Sequence, residues 1–167
     1  MIRWLLAITL FATPAMAMDP EYQWILDDLR TCYEATDTFD GKHACEGVIL
    51  EPCQNALEGG WSNLGTTRCI QFEGEAWDVL LNEEYRNTME WLAKLDNDDM
   101  KYYPEYAIRV DILRDAQRAW IAYRDAVCRS AYSIWGAGSM RLPIGAACVA
   151  TETAERTIEL WTIRGSY

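Results

Sequence analysis

The chain is 167 residues long, half of its residues are apolar or aromatic, and its formal net charge is −11 at pH 7. This length is typical of one domain with its own hydrophobic core. The negative charge excludes proteins that bind nucleic acid or anionic lipid through a basic surface.

Residues 1–17 have the three parts of a signal peptide. Arg3 supplies a positive charge, residues 4–11 form a short apolar run, and Ala15-Met16-Ala17 has the small-x-small pattern of a cleavage site. The apolar run is too short to span a bilayer, and no later segment is long enough. The next residue is Met18 rather than Cys. We therefore predict a periplasmic or secreted protein without a membrane span or lipid anchor.

All six cysteines follow the predicted cleavage site, and an even number in an exported chain indicates three disulfides. Among the possible pairings, the spacing favours neighbours in sequence: Cys32–Cys45, Cys53–Cys69 and Cys128–Cys148. Zinc binding is the alternative, but the chain lacks a C-x-x-C pair and has a single histidine, His43. We therefore expect no metal site.

The N-terminal third combines one helix with irregular structure. Asp19-Pro20 is an N-cap followed by proline at the first helical position, and apolar residues recur at helical spacing up to about Thr36. Glycines and a proline interrupt residues 37–65, which favours short helical turns and loops held by cysteines.

A long amphipathic helix is predicted over about residues 66–95, because apolar residues recur every three or four positions. We expect the acidic run Asp96-Asn97-Asp98-Asp99 to end this helix and begin a linker through Pro104. The run does not fit an EF-hand calcium loop, since Lys101 and Ala107 occupy the positions of its glycine and its last glutamate.

A second long helix is predicted from about Pro104 to Trp135, and a last one from about Ala146 to Ile163. The expected buried residues of the second long helix are Ile108, Ile112, Leu113, Trp120, Ile121, Tyr123 and Val127. Because no alternating strand pattern occurs, the predicted fold is all-α. It is a disulfide-stapled antiparallel helical bundle with an irregular, stapled N-terminal extension.

The sequence lacks the patterns that catalysis needs. It has no nucleophile-elbow, zinc-protease or phosphate-loop motif, and the cysteines are assigned to disulfides. His43 lies in the irregular stretch without a neighbouring nucleophile signature. We predict that the protein is not an enzyme and has no cofactor.

The most specific pattern runs from Leu113 to Cys128 as L-x-x-x-Q-R-x-W-x-x-Y-R-D-x-x-C, with Gln117, Arg118, Trp120, Tyr123, Arg124 and Asp125 at its defined positions. Before it come Cys53, Cys69 and an L-N-x-x-Y stretch formed by Leu81, Asn82 and Tyr85. After it come Gly138-Ser139, Cys148 and a T-x-x-R-x-x-x-L helix that contains Arg156. In this order the elements resemble the LprI-like family of lysozyme inhibitors over residues 53–161.

The resemblance implies a helical, disulfide-bonded domain over residues 53–167, and it does not cover an extension over residues 18–52. On a helix, Gln117, Trp120, Arg124 and Cys128 share one face. We interpret this face, and the pattern residues generally, as contacts that hold the bundle together rather than as a ligand site.

The resemblance also implies inhibition of lysozyme. Residues 18–106 carry twenty acidic and six basic residues, whereas residues 107–167 carry six acidic and eight basic residues. The acidic part either attracts a cationic partner or only keeps the protein soluble. The candidate partner contacts are Tyr132 and Trp135 in the Cys128–Cys148 loop, together with Asp96, Asp98 and Asp99.

The leading hypothesis is a periplasmic binder or inhibitor of a cationic peptidoglycan hydrolase such as lysozyme. One alternative is an immunity protein against a toxin that cuts peptidoglycan. The other is a structural envelope protein without an enzyme target. The sequence does not define the oligomeric state.

Overall fold

The computed structural model describes residues 22–165, which are helical with no strand among them, so the all-α prediction is confirmed. The helices are α1 (Gln23–Glu34), α2 (Phe39–His43), α3 (Leu50–Ala56), α4 (Asn63–Asp99), α5 (Arg109–Ile134) and α6 (Arg141–Gly165), with a 3-10 turn at Pro104–Tyr106. The predicted signal peptide and the helix start at Asp19-Pro20 lie outside these residues. None of the described helices is long and apolar enough to cross a membrane.

The long helices α4 and α6 pack along each other, and α5 lies against both. A first core joins α1, α4 and α6 around Trp77, which is fully buried. A second, smaller core joins α4, α5 and α6 around Leu160. The predicted boundary between residues 52 and 53 falls inside α3, and the first core contains Ile49 and Cys53 from its two sides.

The three disulfides have the predicted pairing. Cys32–Cys45 joins α1 to the residues after α2, Cys53–Cys69 joins α3 to α4, and Cys128–Cys148 joins α5 to α6. Loops of this length each stabilise the fold by about 3 kcal/mol when loop entropy dominates. The first two disulfides therefore hold the short N-terminal helices on the bundle, whereas the third ties the long helices α5 and α6 together.

A buried polar network holds the N-terminal helices on the bundle. Glu84 of α4 accepts a hydrogen bond from the Tyr33 hydroxyl of α1 (3.1 Å) and forms an ion pair with Arg164 of α6. Lys42 of α2 donates to the Tyr33 backbone carbonyl (2.9 Å) and lies over the Tyr33 and Trp161 rings. Burial lowers the pKa of Lys42 and raises the pKa of Tyr33. Residues before α3 thus belong to the same packed unit as α4 and α6.

The acidic run is helical, so the predicted linker at Asp96 is wrong. The Asp96 carboxylate accepts hydrogen bonds from the backbone N–H groups of Arg109 (3.2 Å) and Val110 (3.1 Å) and from the Arg109 guanidinium (3.0 Å). Burial alone would raise the pKa of Asp96, but these bonds outweigh it and hold that pKa below its usual value. Asp96 therefore caps the N-terminus of α5 from a distance. The residue at the N-cap position of α5, Ile108, makes no capping hydrogen bond with its side chain.

Asp96→Ala removes this cap and is expected to lower the free energy of unfolding by about 1–3 kcal/mol. Since the folded-state pKa of Asp96 lies below the unfolded value, its contribution is present above about pH 4 and is lost as the pH falls further. Urea denaturation at neutral and acidic pH measures both effects. Asp98→Ala changes an exposed residue of the same run, and an equal loss in that variant would contradict the cap.

The helix α5 is less buried than the sequence predicts. Only Leu113 and Cys128 of this helix are buried, whereas Trp120 and Val127 are partly buried. Four of the expected core residues are exposed: Ile108 (48%), Ile112 (60%), Ile121 (43%) and Tyr123 (56%). The reason is that α4 and α6 pack mainly with each other, so α5 has one narrow face in contact and the rest in solvent. The last helix also begins earlier than predicted, at Arg141 rather than Ala146.

Candidate functional site

A groove of about 1510 Å³ lies between α4 and α5 and is also lined by α6. Its walls are formed by residues from Thr67 to Arg86 on α4 and from Arg124 to Tyr132 on α5. Small-molecule pockets are typically about 300–1000 Å³. The size of this groove therefore favours a segment of a protein over a small ligand.

The α4 wall carries three carboxylates, those of Glu75, Asp78 and Glu83, and the guanidinium of Arg86, among apolar and uncharged residues. Glu75 and Asp78 are exposed, and the Asn82 side chain donates to the Asp78 carboxylate (3.0 Å). Glu83 accepts two hydrogen bonds from Arg30 of α1 (2.6 and 2.8 Å), and the bonding to Arg30 lowers the pKa of Glu83. This wall therefore offers carboxylates to a cationic partner, and Arg30 compensates one of them.

The α5 wall presents Arg124 and Asp125 opposite Asn82 and Tyr85. Arg124 donates to Asp125 (2.9 and 3.1 Å), and its guanidinium lies 5.1 Å from the centre of the Trp120 ring. The stacking and the ion pair fix Arg124 in place. The side chain of Asp125 is 51% exposed. Asp125 is therefore available to a partner that enters the groove.

Tyr132 completes the α5 wall near the disulfide. It is 39% exposed and packs on α6 at Gly145, where a Cβ atom would lie 3.0 Å from the ring. The Arg141 guanidinium lies 5.7 Å from the centre of the same ring. Tyr132 is thus held between two elements while one side remains accessible.

Other residues of the family pattern make internal contacts. Leu81 is buried in the second core. Arg156 of α6 is 7% exposed, donates to Gln117 of α5 (2.9 Å) and pairs with Glu159 (2.7 Å), which holds α5 against α6. Arg118, in contrast, is exposed and pairs with its helical neighbour Asp115 (3.3 Å).

Trp135 belongs to an apolar tip at the end of the bundle. A hydrogen bond from Asn63 to Ser139 (2.8 Å) joins the start of α4 to the turn between α5 and α6. The exposed apolar residues of this tip are Trp61 (66%), Leu64 (71%), Ile134 (79%), Trp135 (46%) and Met140 (39%). The tip adjoins the end of the groove that contains Thr67, Tyr132 and Leu142.

The three candidate acidic residues lie far from this tip, at the opposite end of α4. Asp96 caps α5 and Asp99 accepts a hydrogen bond from Arg109 (2.6 Å), so both have partners within the fold, whereas Asp98 is exposed. On α4, Asp99 lies about 20 Å beyond Arg86, the last groove residue of that helix. The structure therefore does not bring the acidic run together with Tyr132 and Trp135.

His43 lies on α2, outside the groove. Its Nδ1 atom is 2.6 Å from Glu46 and 3.7 Å from Glu155 of α6, and ligand atoms of the three residues lie within 4.8 Å of one another. The direct hydrogen bond between His43 and Glu46 explains why these atoms lie close together. We assign the trio to the contact between α2 and α6.

The profile of the family described as Lysozyme inhibitor LprI matches residues 53–160. The chain belongs to the LprI lysozyme inhibitor family. The uncharacterized protein R02472 of Rhizobium meliloti (strain 1021) is 33% identical over 108 residues, which are 65% of this chain and 75% of that protein. No solved structure shows a significant match.

The LprI match contains both walls of the groove and the part of α6 that lines it. The description of this family names an inhibitor, which fits the prediction of a protein that is not an enzyme. Sequence reasoning missed the groove residues Asp78, Arg86 and Arg129. Their signal is spacing: Asp78 and Arg86 lie four positions either side of Asn82, and Arg129 lies four positions after Asp125.

Proposed function

We propose that this LprI protein is exported to the periplasm, where it binds and inhibits a cationic peptidoglycan hydrolase of the lysozyme class through the groove. One observation carries the proposal. The two separate stretches of the family pattern, Leu81–Tyr85 and Leu113–Cys128, meet across the groove through Asn82, Tyr85, Arg124 and Asp125. The internal contacts of Leu81, Gln117 and Arg156 explain their place in the pattern, whereas the exposed Asn82 and Asp125 have no comparable role in packing.

The charge distribution supports a basic partner. Residues 18–106, which include α1 and α4, carry an excess of fourteen acidic over basic residues. The negative electrostatic field of these residues accelerates the approach of a cationic protein, and it weakens as salt screens the charges. The three disulfides and a predicted signal peptide fit an oxidising compartment.

The apolar tip supplies the anchors that such an interface needs. Exposed tryptophans contribute strongly to binding when a partner covers them, and exposed apolar clusters mark interaction surfaces. Here Trp61 and Trp135 are carried by elements that the Cys53–Cys69 and Cys128–Cys148 disulfides tie to the bundle. These ties restrict the tip before binding, which reduces the conformational entropy that binding would cost.

A charge-matched pair of variants tests the groove. Asn82→Lys with Asp125→Lys changes two exposed groove residues, and Asn87→Lys with Asp111→Lys makes the same charge change outside the groove. Both should slow association with a basic lysozyme equally, because long-range steering depends on net charge. Only the groove variant should also dissociate faster, by at least about tenfold. Binding kinetics at low and physiological salt measure this, and equal dissociation rates would contradict the groove as the binding site.

A further inference from the structure

We propose that a second pocket binds a primary ammonium group on a short aliphatic chain through the carboxylate of Glu73. The pocket has a volume of about 140 Å³ and lies between α4, α6 and the residues that lead into α3. The groove lies on the α5 side of α4 and α6, whereas this pocket lies on the side of residues 46–50. Of its lining, Ile70 and Ala150 also line the groove. The pocket is therefore a site separate from the one proposed for the hydrolase.

Glu73 lines this pocket although its side chain is almost completely buried. Only 5% of its surface is exposed. Its Oε1 atom accepts hydrogen bonds from the backbone N–H of Gly47 (2.6 Å) and from Nε1 of Trp77 (3.4 Å). Its Oε2 atom accepts none from residues 22–165. Because a buried polar atom without a partner is unfavourable, we assign Oε2 to a ligand that donates hydrogen bonds.

The charge of the pocket favours a cationic ligand. Glu46 is a second acid of the lining, and none of the described residues that line the pocket is basic. Glu46 pairs with Nδ1 of His43 (2.6 Å), whereas Glu73 has no ion pair in the described part of the chain. Burial and, to a smaller extent, the charge of Glu46 raise the pKa of Glu73, and its two hydrogen bonds only partly offset this. A bound cation would supply the positive charge that Glu73 lacks.

The apolar part of the lining favours an organic cation over a metal ion. Its members are Leu50, Ile70, Trp77, Ala147, Ala150 and Ala154. A calcium ion needs about six or more oxygen ligands. The side chains of the lining offer two carboxylates and the hydroxyl of Thr151, and one of the carboxylates already pairs with His43.

The size of the pocket matches a short chain that ends in an ammonium group. Since a water molecule takes up about 30 Å³, the pocket holds roughly five non-hydrogen atoms. n-Butylammonium has this size, and so does the end of a lysine side chain, an ammonium group on a four-carbon stem. The ammonium group would donate to Oε2 of Glu73, and the carbon chain would contact the apolar lining.

The pocket opens to solvent between α6 and the start of α3. Thr151 is exposed, and Leu50 and Ala147 are partly buried. Gly47 has a φ of +77°, in the left-handed region that glycine adopts most readily. This conformation directs the Gly47 N–H to Glu73 and so holds the carboxylate in place. A ligand that enters beside Thr151 therefore meets a fixed carboxylate.

NMR titration of the full mature chain tests the site. The indole N–H of Trp77 is the reporter, because it donates to Glu73. We expect n-butylammonium chloride to shift this signal until it saturates. Two controls should not produce a saturable shift: n-butanol, which has the same carbon chain without the charge, and sodium chloride at the same concentration. A lysine with blocked backbone groups, added in a separate titration, distinguishes the two sources of the ammonium group.

Three variants separate the carboxylate from the fold. Glu73→Gln removes the charge but keeps an acceptor for Gly47 and Trp77, and it should weaken binding of n-butylammonium by at least about tenfold. Glu90→Gln changes an exposed glutamate of the same helix and should bind like the wild type. Ala147→Leu fills the pocket from its partly exposed rim and should abolish binding. This variant keeps the proposal testable if Glu73→Gln fails to fold.

A wild type whose Trp77 signal shows no saturable shift would overturn the proposal. So would equal shifts with n-butanol, or binding that neither Glu73→Gln nor Ala147→Leu weakens. If the blocked lysine binds as well as n-butylammonium, the site accepts a lysine side chain of a partner protein, and if it does not bind, the ligand is a free amine. Both results support an ammonium site. Inhibition of a hydrolase is measured separately, since Glu73 and Ala147 do not line the groove.

Discussion

Trp77→Ala is expected to lower the free energy of unfolding by about 3–5 kcal/mol, because it removes a large, fully buried side chain. The Trp77 ring packs edge-on against Tyr33 with 5.8 Å between ring centres, and its Nε1 donates to Glu73 (3.4 Å). The variant leaves a cavity between α1, α4 and α6. It also removes a donor from a carboxyl group whose pKa burial already raises.

Two other Trp→Ala variants provide comparisons for this loss of stability. Trp61 is 66% exposed, so Trp61→Ala should change the free energy of unfolding by less than about 0.5 kcal/mol. Trp120 is partly buried against the second core, so Trp120→Ala should fall between the two. Urea denaturation with the disulfides intact gives all three values. Similar losses for Trp61 and Trp77 would contradict the position of the core.

Glu84→Ala is expected to lower the free energy of unfolding by about 2–4 kcal/mol, because it leaves Arg164 without its anion and the Tyr33 hydroxyl without its acceptor. The cost lies below that of a fully buried unpaired charge, since the Arg164 side chain is 23% exposed and also donates to Thr88 (2.7 Å). The loss should detach α1 and α2 from the bundle more readily than it unfolds α4.

A double-mutant cycle isolates this interaction. Arg164→Ala alone should also destabilise the fold, and the double variant should cost less than the sum of the two single variants by about 1–3 kcal/mol. Glu90→Ala is the matched control, since Glu90 is an exposed glutamate of the same helix. Additive effects of the two single substitutions would show that Glu84 and Arg164 act independently.

The bundle, the disulfide pairing and the family were predictable because they depend on local periodicity and spacing. The end of α4 was not, since aspartates disfavour helix interiors. Asp96 is stabilised there by hydrogen bonds from Arg109 and Val110, which lie 13 and 14 residues later in the sequence. The local sequence pattern around Asp96 does not reveal a contact of this kind.

The groove and the exposure of α5 were not predictable for a related reason. Periodicity identifies the apolar face of a helix, but it does not say how much of that face a neighbour covers. Ile112 and Tyr123 follow the helical rhythm, yet α4 and α6 leave them in solvent. Asn82 and Asp125 share one site only because α5 folds back beside α4, which depends on the tertiary arrangement.

Inhibition of peptidoglycan lysis is the most direct test of the proposed function. The measurement is the rate of lysis by a panel of basic lysozymes, at low and physiological salt, with increasing amounts of the purified mature protein. Wild type and the control variant Asn87→Lys with Asp111→Lys should inhibit at least one lysozyme. The groove variant Asn82→Lys with Asp125→Lys should need at least about tenfold more protein for the same effect. Failure of the wild type to inhibit any lysozyme at low salt, or equal inhibition by the groove variant, would contradict a hydrolase-binding groove between α4 and α5.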